Sequence, residues 1–316
     1  MIEELSNNVF LAPMAGVTDR ATREIADKFG AALTFTEMVS SKGLYYKDKK
    51  TKTLLEQGEG TEKTSIQLFG HESEIMEYAA GCAVSLGASL IDINSGCPTP
   101  KIAGNGDGAG LMKNPDLFGE VVKATVRGSG VPVSVKIRKG WNDESVNAVE
   151  IAKIAEKNGA SMITVHGRTA QQQYSGRADW DIIKEVTQSV GIPVVGNGDI
   201  FSPLDAKKML DKTGCAAVML GRGTLGNPWL ISDTVSFLRS GEIPPSPTLD
   251  EKIKLAIHHI GLIVKYKGEY IGIREARKHA LWYIKGIRGS ASIKNRITKA
   301  QSLEEMKNIL ILLLTI

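Results

Sequence analysis

Cysteine is scarce: Cys82, Cys97 and Cys215 are the only three in 316 residues. An odd number spread so widely does not suggest a disulfide scaffold, and a reducing compartment, the cytoplasm, is expected. Long apolar runs are missing too. The longest near the end, ILILLL over 309–314, falls far short of the ~20 residues of a membrane helix, so no membrane span is expected. The opening stretch MIEELSNNVFLAPMAG has no basic flank, and no signal peptide is read there. No GxGxxG fingerprint or Walker loop stands in the setting that a dinucleotide or P-loop fold demands. There is no GxSxG elbow, and no histidine–carboxylate group has metal-ligand spacing. Triad hydrolysis and metal chemistry therefore start weak, and no metal is expected.

What is present is ordinary in bulk, with 42% apolar and 23% charged residues. The 33 glycines exceed the usual ~7% and point to tight turns or backbone-lined sites. The net charge of +4 is unevenly placed. Residues 249–316 hold 13 Lys/Arg against 6 Asp/Glu, a surplus of +7 that leaves −3 for the rest. Such a tail suits a polyanionic partner, with a solvated helical surface as the plain alternative.

Short β-rich runs alternate with longer helical ones. Strands are expected over 9–12, 33–36, 65–69, 90–94, 133–137, 162–166, 193–197 and 217–220. Helices are expected over 19–29, with Thr18 as cap, and over 72–86, 115–126, 146–157, 180–189, 203–210 and 229–238. The strands are apolar on both faces, as buried parallel strands are. Eight such units predict an α/β fold, a (β/α)8 TIM barrel over 1–240, with an open doubly wound sheet as the rival. Pro244, Pro245 and Pro247 mark a linker over 241–248. Residues 249–316 then read as a small all-helical C-terminal domain whose last helix is capped by Thr298 or Ser302, with Glu305 in capping-box position.

In a barrel, polar residues at strand ends converge on one rim. Gly196 and Gly198, and Gly221 and Gly223, follow the seventh and eighth strands, and Arg222 stands between the last two. Such loops suit a phosphate. Lys136 interrupts an apolar strand, where an amine needs a partner or a ligand unless it snorkels to solvent. Gln67 offers a donor and an acceptor to a heterocycle or to backbone. His166 ends the sixth strand with Arg168 close behind, placed for an anion or a base. Cys97 follows the fourth strand in DINSGCPTPKI, whereas Cys82 and Cys215 read as structural.

Taken together, APMAGVTD, DINSGCPTPKI, GAGLM, VKIRKGW, VHGRTAQQQYSG, GNGDI, LGRGTLGNPW and GIREARKHALWY, in that order along the chain, resemble the tRNA-dihydrouridine synthase family, bacterial B-type branch. The resemblance implies an FMN-dependent oxidoreductase acting on a CH–CH bond: hydride from reduced FMN to C6 of specific tRNA uridines and a proton to C5, with FMN re-reduced by NADPH, or NADH as the alternative donor. It implies Cys97 as the catalytic acid, and Pro13, Met14, Ala15, Gln67, Lys136, His166, Asn197, Gly198, Asp199, Gly221 and Arg222 around the cofactor. Ser95 departs from the family, which commonly has a bulky apolar residue there. For the tRNA, Asn94, Lys101, Arg138, Lys139, Arg168, Arg274, Arg277 and Lys278 are the expected contacts, and a monomer is expected. The rivals are a small-molecule flavin barrel of the dihydropyrimidine or dihydroorotate type, against which the basic tail and the ordered motifs speak, and a non-catalytic RNA-binding module, against which Cys97, Lys136 and Arg222 speak.

Overall fold

The computed structural model describes residues 5–56 and 64–315. Its strands are β1 (Val9–Leu11), β2 (Thr34–Phe35), β3 (Val39–Ser40), β4 (Thr64–Phe69), β5 (Leu90–Ser95), β6 (Val133–Arg138), β7 (Met162–His166), β8 (Val194–Asn197) and β9 (Ala217–Leu220). All pair in parallel, in the order β1-β9-β8-β7-β6-β5-β4-β2, with β3 also on β4. Both β2 and β3 lie on β4, so they act as two pieces of one staggered strand. A bridge from Phe10 to Leu33 brings the ends together, with Leu11 N donating to Leu33 O at 3.0 Å. The result is a nearly closed eight-stranded barrel followed by C-terminal helices. The open doubly wound sheet is ruled out, because β1 pairs with β9 on one side and meets residue 33 on the other.

Alternation along each strand sorts the side chains. Val9, Leu11, Ile91, Ile93, Val133, Val135, Ile163 and Val165 point outward and are buried under the helices. Phe10, Leu90, Met162, Val195 and Met219 point inward and join Phe35 in filling the barrel. Both sets are needed, and this is why the strands read as continuous apolar runs. The polar interruptions, Gln67, Asp92, Asn94, Ser134, Lys136 and His166, fall on the inward parity.

The surrounding helices form where expected: Arg20–Lys28, Ser73–Ser85, Pro115–Ser129, Ala148–Lys157, Trp180–Ser189, Pro203–Thr213 and Trp229–Ser240. The cap of the first is Asp19, not Thr18. Asp19 accepts from Thr22 N, while the buried Thr18 hydroxyl accepts from Met14 N at 2.9 Å and tightens the preceding loop. Two short helices, Ser41–Tyr45 and Lys49–Thr53, stand where no helix was expected. Their polar, lysine-rich sequence shows no apolar period.

The C-terminal helices are Leu249–Lys267, Glu269–Tyr283, Ser290–Ile297 and Leu303–Ile311. Helix 290–297 is short and stands between the two long helices and the last. Thr248 and Glu251 form a capping box at the first. Ser302 caps the last by accepting from Glu305 N, while Thr298 closes the helix before it. The Glu305 carboxylate takes Gln301 N at 2.8 Å, one residue earlier than a capping box requires. These helices share an apolar core with Ala21 and Ile25 of the first barrel helix. At that seam the buried Asp19 accepts from Lys267 at 2.6 Å, and Lys267 also pairs with Glu275 at 2.6 Å. His259 bonds Tyr283 OH at 3.1 Å through Nδ1 and Thr22 Oγ1 at 3.2 Å through Nε2.

Burial pushes His259 down to about 4 and His279 down to about 3, below the ordinary histidine value of 6.5. The unfolded chain then binds more protons than the folded one as pH falls below about 6.5, so each ring costs stability in acid. The raised carboxyls Asp27 and Asp92, both about 6, act in the opposite direction over much of the same window. A difference between variants isolates the ring. His279→Gln should gain on the wild type by up to about 1.4 kcal/mol per pH unit between pH 6 and 4. Urea unfolding across that range checks it, and parallel curves would refute it.

Candidate active site

The C-terminal ends of the strands open into a cavity of about 580 Å³, well within the usual size of a cofactor or small-ligand site. Its floor is a polar chain laid across neighbouring strands. Ser134 donates to Asp92 Oδ1 at 2.6 Å, and Gln67 Nε2 donates to Asp92 Oδ2 at 2.6 Å. Asn94 Nδ2 donates to Gln67 Oε1 at 2.9 Å. Lys136 Nζ donates to Asn197 Oδ1 at 3.0 Å, and Asn197 Nδ2 to Met219 O at 2.8 Å. Register explains the proximity: Gln67 lies opposite Asp92, Asp92 opposite Ser134, and Asn94 opposite Lys136.

The electrostatics follow from burial. Desolvation pushes Asp92 up to about 6, against its two hydrogen bonds and the nearby Lys136 charge. Desolvation, then the neighbouring Arg138, brings Lys136 down to about 8, with Asp92 pulling the other way. His166 is buried, and burial followed by Lys136, Arg138, Arg168 and Arg222 depresses it well below 6.5. Its imidazole is therefore neutral at pH 7, able to accept or donate one hydrogen bond but not to act as a cation.

One wall is the loop after β5. Asn94 Oδ1 accepts from Gly96 N at 3.1 Å and from Cys97 N at 2.9 Å. That turn presents the half-buried Cys97 to the cavity, with its Sγ 3.3 Å from Thr99 Oγ1. Pro13, Met14 and Ala15 after β1 line another side. Gly198 and Asp199 after β8, with Gly221 and Arg222 after β9, complete the rim. Asp199 sits at φ 55°, and its carboxylate takes Arg168 at 2.7 Å, Ala178 N at 2.7 Å and Arg222 at 3.3 Å. Gly198 is required where it stands. Its φ is +124°, and a Cβ there would lie 2.7 Å from Ala178 Cβ and 3.0 Å from His166 Cδ2.

All twelve residues expected around the thiol and the cofactor border this cavity, and so do Asn94 and Arg138. The other expected substrate contacts lie elsewhere. Lys101 is exposed on the short helix Pro100–Ala103 beside the Cys97 turn. Lys139 is held by Asp179 at 3.1 Å. Arg168 is buried at 2% exposure and donates to Ser175 O, Gly176 O and Asp199. Arg138 is buried too and ties the carbonyls of Gly96, Thr169 and Gln173. Both guanidiniums staple loops. Arg274 is exposed over the Tyr270 ring at 3.6 Å. Arg277 donates twice to Ala300 O, at 2.6 and 3.2 Å. Lys278 reaches back toward the mouth, its Nζ 3.1 Å from where a Gly16 Cβ would sit.

The sequence reading missed Met38, Tyr174 and Phe201, which also line the cavity. Tyr174 and Phe201 are more than half exposed, and Arg222 lies 4.6 Å from the first ring and 5.8 Å from the second. An aromatic just past a strand-end motif was the available signal for both. Asp92 was missed as well, although it shares the inward parity of Asn94. Among the described residues, no cluster of three or more His, Cys, Asp or Glu is placed to hold a metal, and no helix is long and apolar enough to cross a membrane.

The barrel and its mouth define a TIM-barrel-like enzyme. Solved barrels share the fold: a mutant (S)-mandelate dehydrogenase (TM-score 0.51, 16% identity, 75% of this chain and 74% of that one) and an old yellow enzyme homologue from Zymomonas mobilis (TM-score 0.54, 14% identity, 77% and 91%). At sequence level, residues 10–314 match the family described as Dihydrouridine synthase (Dus). A probable tRNA-dihydrouridine synthase of Rickettsia conorii is 42% identical over 93% of this chain and 89% of its own. The tRNA-dihydrouridine synthase B of Pasteurella multocida is 41% identical over 90% and 86%, and that of Vibrio vulnificus 41% over 89% and 88%. The chain belongs to the dihydrouridine synthase family, bacterial B type, and is an oxidoreductase of that flavin-dependent family.

Gly198→Ala should destabilise the barrel by about 1–3 kcal/mol through overpacking against Ala178 and His166. Gly261→Ala, inside helix Leu249–Lys267 where a Cβ would meet nothing within 4 Å, should cause no loss. Denaturant unfolding of the two variants side by side decides it; equal losses would contradict the assigned clash.

Proposed function

We propose that the protein reduces selected uridines of tRNA to 5,6-dihydrouridine, using FMN as resident cofactor and NADPH as electron source. The observation that carries this reading is the convergence of Lys136, Asn197, Gln67 and the Cys97 thiol on one cavity in a chain of this family. The cavity suits FMN. Its floor offers the amine of Lys136 and the amides of Gln67 and Asn197 to a polar ring edge. The Gly198 position admits no Cβ, and the exposed Arg222 guanidinium stands on the rim where a phosphate needs a charged fork. When bound, FMN supplies the hydride chemistry.

The protein's own part is binding, orientation and one proton. Saturating the 5,6 bond of uracil takes hydride at C6 and a proton at C5. Cys97 delivers the proton at C5 as a general acid, and the Asn94 carboxamide fixes the turn that aims it. Asp92 is buried and bonded to Gln67 and Ser134, so it orients Gln67 and balances Lys136. His166, held neutral, offers a hydrogen bond to cofactor or base without adding charge to a site already lined by cations.

A target uridine leaves its stack to reach this depth, and a loop base does so at least cost. Residues 249–316 form the tRNA-binding unit of this reading, joined to a catalytic unit over 1–240 through 241–248. Arg274 and Lys278, with Lys101 on the barrel side, meet RNA phosphate. Arg277 supports them by fixing the 300 turn. Arg138 and Arg168 serve the substrate by shaping the loops around it.

Dihydrouridine mapped in tRNA from cells lacking the gene should disappear at the target position. The wild-type gene should restore it, and Cys97→Ala should not, with flavin still bound to the purified variant. Full restoration by that variant would remove the thiol from the mechanism. Arg274→Ala should weaken tRNA binding and reduce the slope of log K against log salt by about 1. Filter binding at several salt concentrations measures this, and an unchanged slope would discard the contact.

A further inference from the structure

We propose that His71 is a positioning residue for the Cys97 thiol, a brace outside the catalytic loop that fixes where the acid sits. This rests on the reading of Cys97 as proton donor. The loop after β5 is held at two ends. On the strand side, Asn94 takes the N–H groups of residues 96 and 97. On the far side the chain folds back, and Ala109 N donates to Cys97 O at 3.0 Å. Gly108, at φ +54°, lies so close that a Cβ there would be 2.8 Å from Cys97 O and 3.1 Å from Cys97 Cβ. Whatever fixes residues 106–109 therefore fixes the cysteine.

His71 fixes them. It follows β4 directly and lies outside the loop. Its Nδ1–H donates to Asp107 Oδ1 at 2.7 Å, and the Gly106 backbone faces its ring, with a Cβ position 3.9 Å away. The Asp107 carboxylate is diverted to this end. Asp107 occupies the N-cap of the 3-10 turn Gly108–Lys113 yet caps nothing, because its carboxylate is turned to His71. Glu72 occupies the N-cap of helix 73–85 and also caps nothing. Its carboxylate takes Lys42 at 2.5 Å and stands 4.0 Å from His71 Nε2. An Asp at an N-cap normally accepts from a backbone N–H of the first turn. That the Asp107 carboxylate serves His71 rather than its own turn marks the tie as the stronger local demand. Loss of it frees the turn beneath the thiol, and a 1 Å displacement of a reacting group costs as much as ~100-fold in rate.

The test compares His71→Leu, which removes the donor, with His71→Asn, which keeps one near the Nδ1 position. In the flavin-loaded enzyme, iodoacetamide labelling followed by peptide mass analysis reads Cys97 separately from Cys82. Steady-state turnover over a range of tRNA concentrations reads kcat and KM. His71→Leu should change the Cys97 labelling rate about threefold or more while Cys82 holds, and lower kcat about tenfold with KM for tRNA within about twofold; His71→Asn should recover both. Unchanged Cys97 labelling, a parallel change at Cys82, or failure of Asn to recover would overturn the brace. Altered labelling with undiminished kcat would sustain the brace and count against Cys97 as the acid, so the two readings fail separately.

Discussion

An amine on the floor of a closed barrel must find a partner there, and the answer to that demand organises the mouth. Lys136 meets Asn197 at 3.0 Å, and its charge is balanced from below by Asp92. Asn197 in turn is locked by Met219 O, and Asp92 by Ser134 and Gln67. One run of bonds joins β4, β5 and β6 and a second joins β6, β8 and β9, so these strands cannot slip without breaking them. Buried polar groups of this kind add little net stability but leave one arrangement satisfied. The register of the barrel and the geometry of the site are thus the same constraint.

Above that floor, positive charge is used in two ways. Arg138 and Arg168 are nearly shut off from solvent, and their guanidiniums meet carbonyl oxygens of the loops after β5 and β7. Five donors spread over a rigid planar fork suit that task, whereas a lysine gathers its three donors at a single point. Arg222 remains on the rim with part of its fork open to solvent. The field of the buried pair still acts on the cavity and helps keep His166 unprotonated. Stapling and electrostatic tuning come from the same side chains.

Much of this was legible beforehand, for a physical reason. Parallel strands buried on both faces show as short apolar runs, and a polar residue inside such a run has few reasons to be there. Lys136, Gln67 and Asn94 announced themselves in that way. Asp92 carried the same signal two residues before Asn94. Arg138 and Arg168 announced only their charge. Whether a guanidinium faces solvent or a loop carbonyl depends on chain paths far apart in sequence, and nothing local records it. The Asp107–His71 contact was hidden for the same reason, joining residues 36 positions apart across two loops. The helices at 41–45 and 49–53 escaped because five residues are too few to show an amphipathic rhythm.

The first helix of the barrel has an unusual position. Ala21 and Ile25 belong to the apolar core of the C-terminal helices rather than to the barrel's own, and Gly226, in the loop after β9, lies against the backbone of Trp282 and Tyr283. A chain cut after Gly241 would therefore expose a greasy stripe on its outer wall and lose the buttress beneath two loops of its mouth. Exchange of the C-terminal helices between relatives demands that the surface of helix 20–28 be exchanged with them.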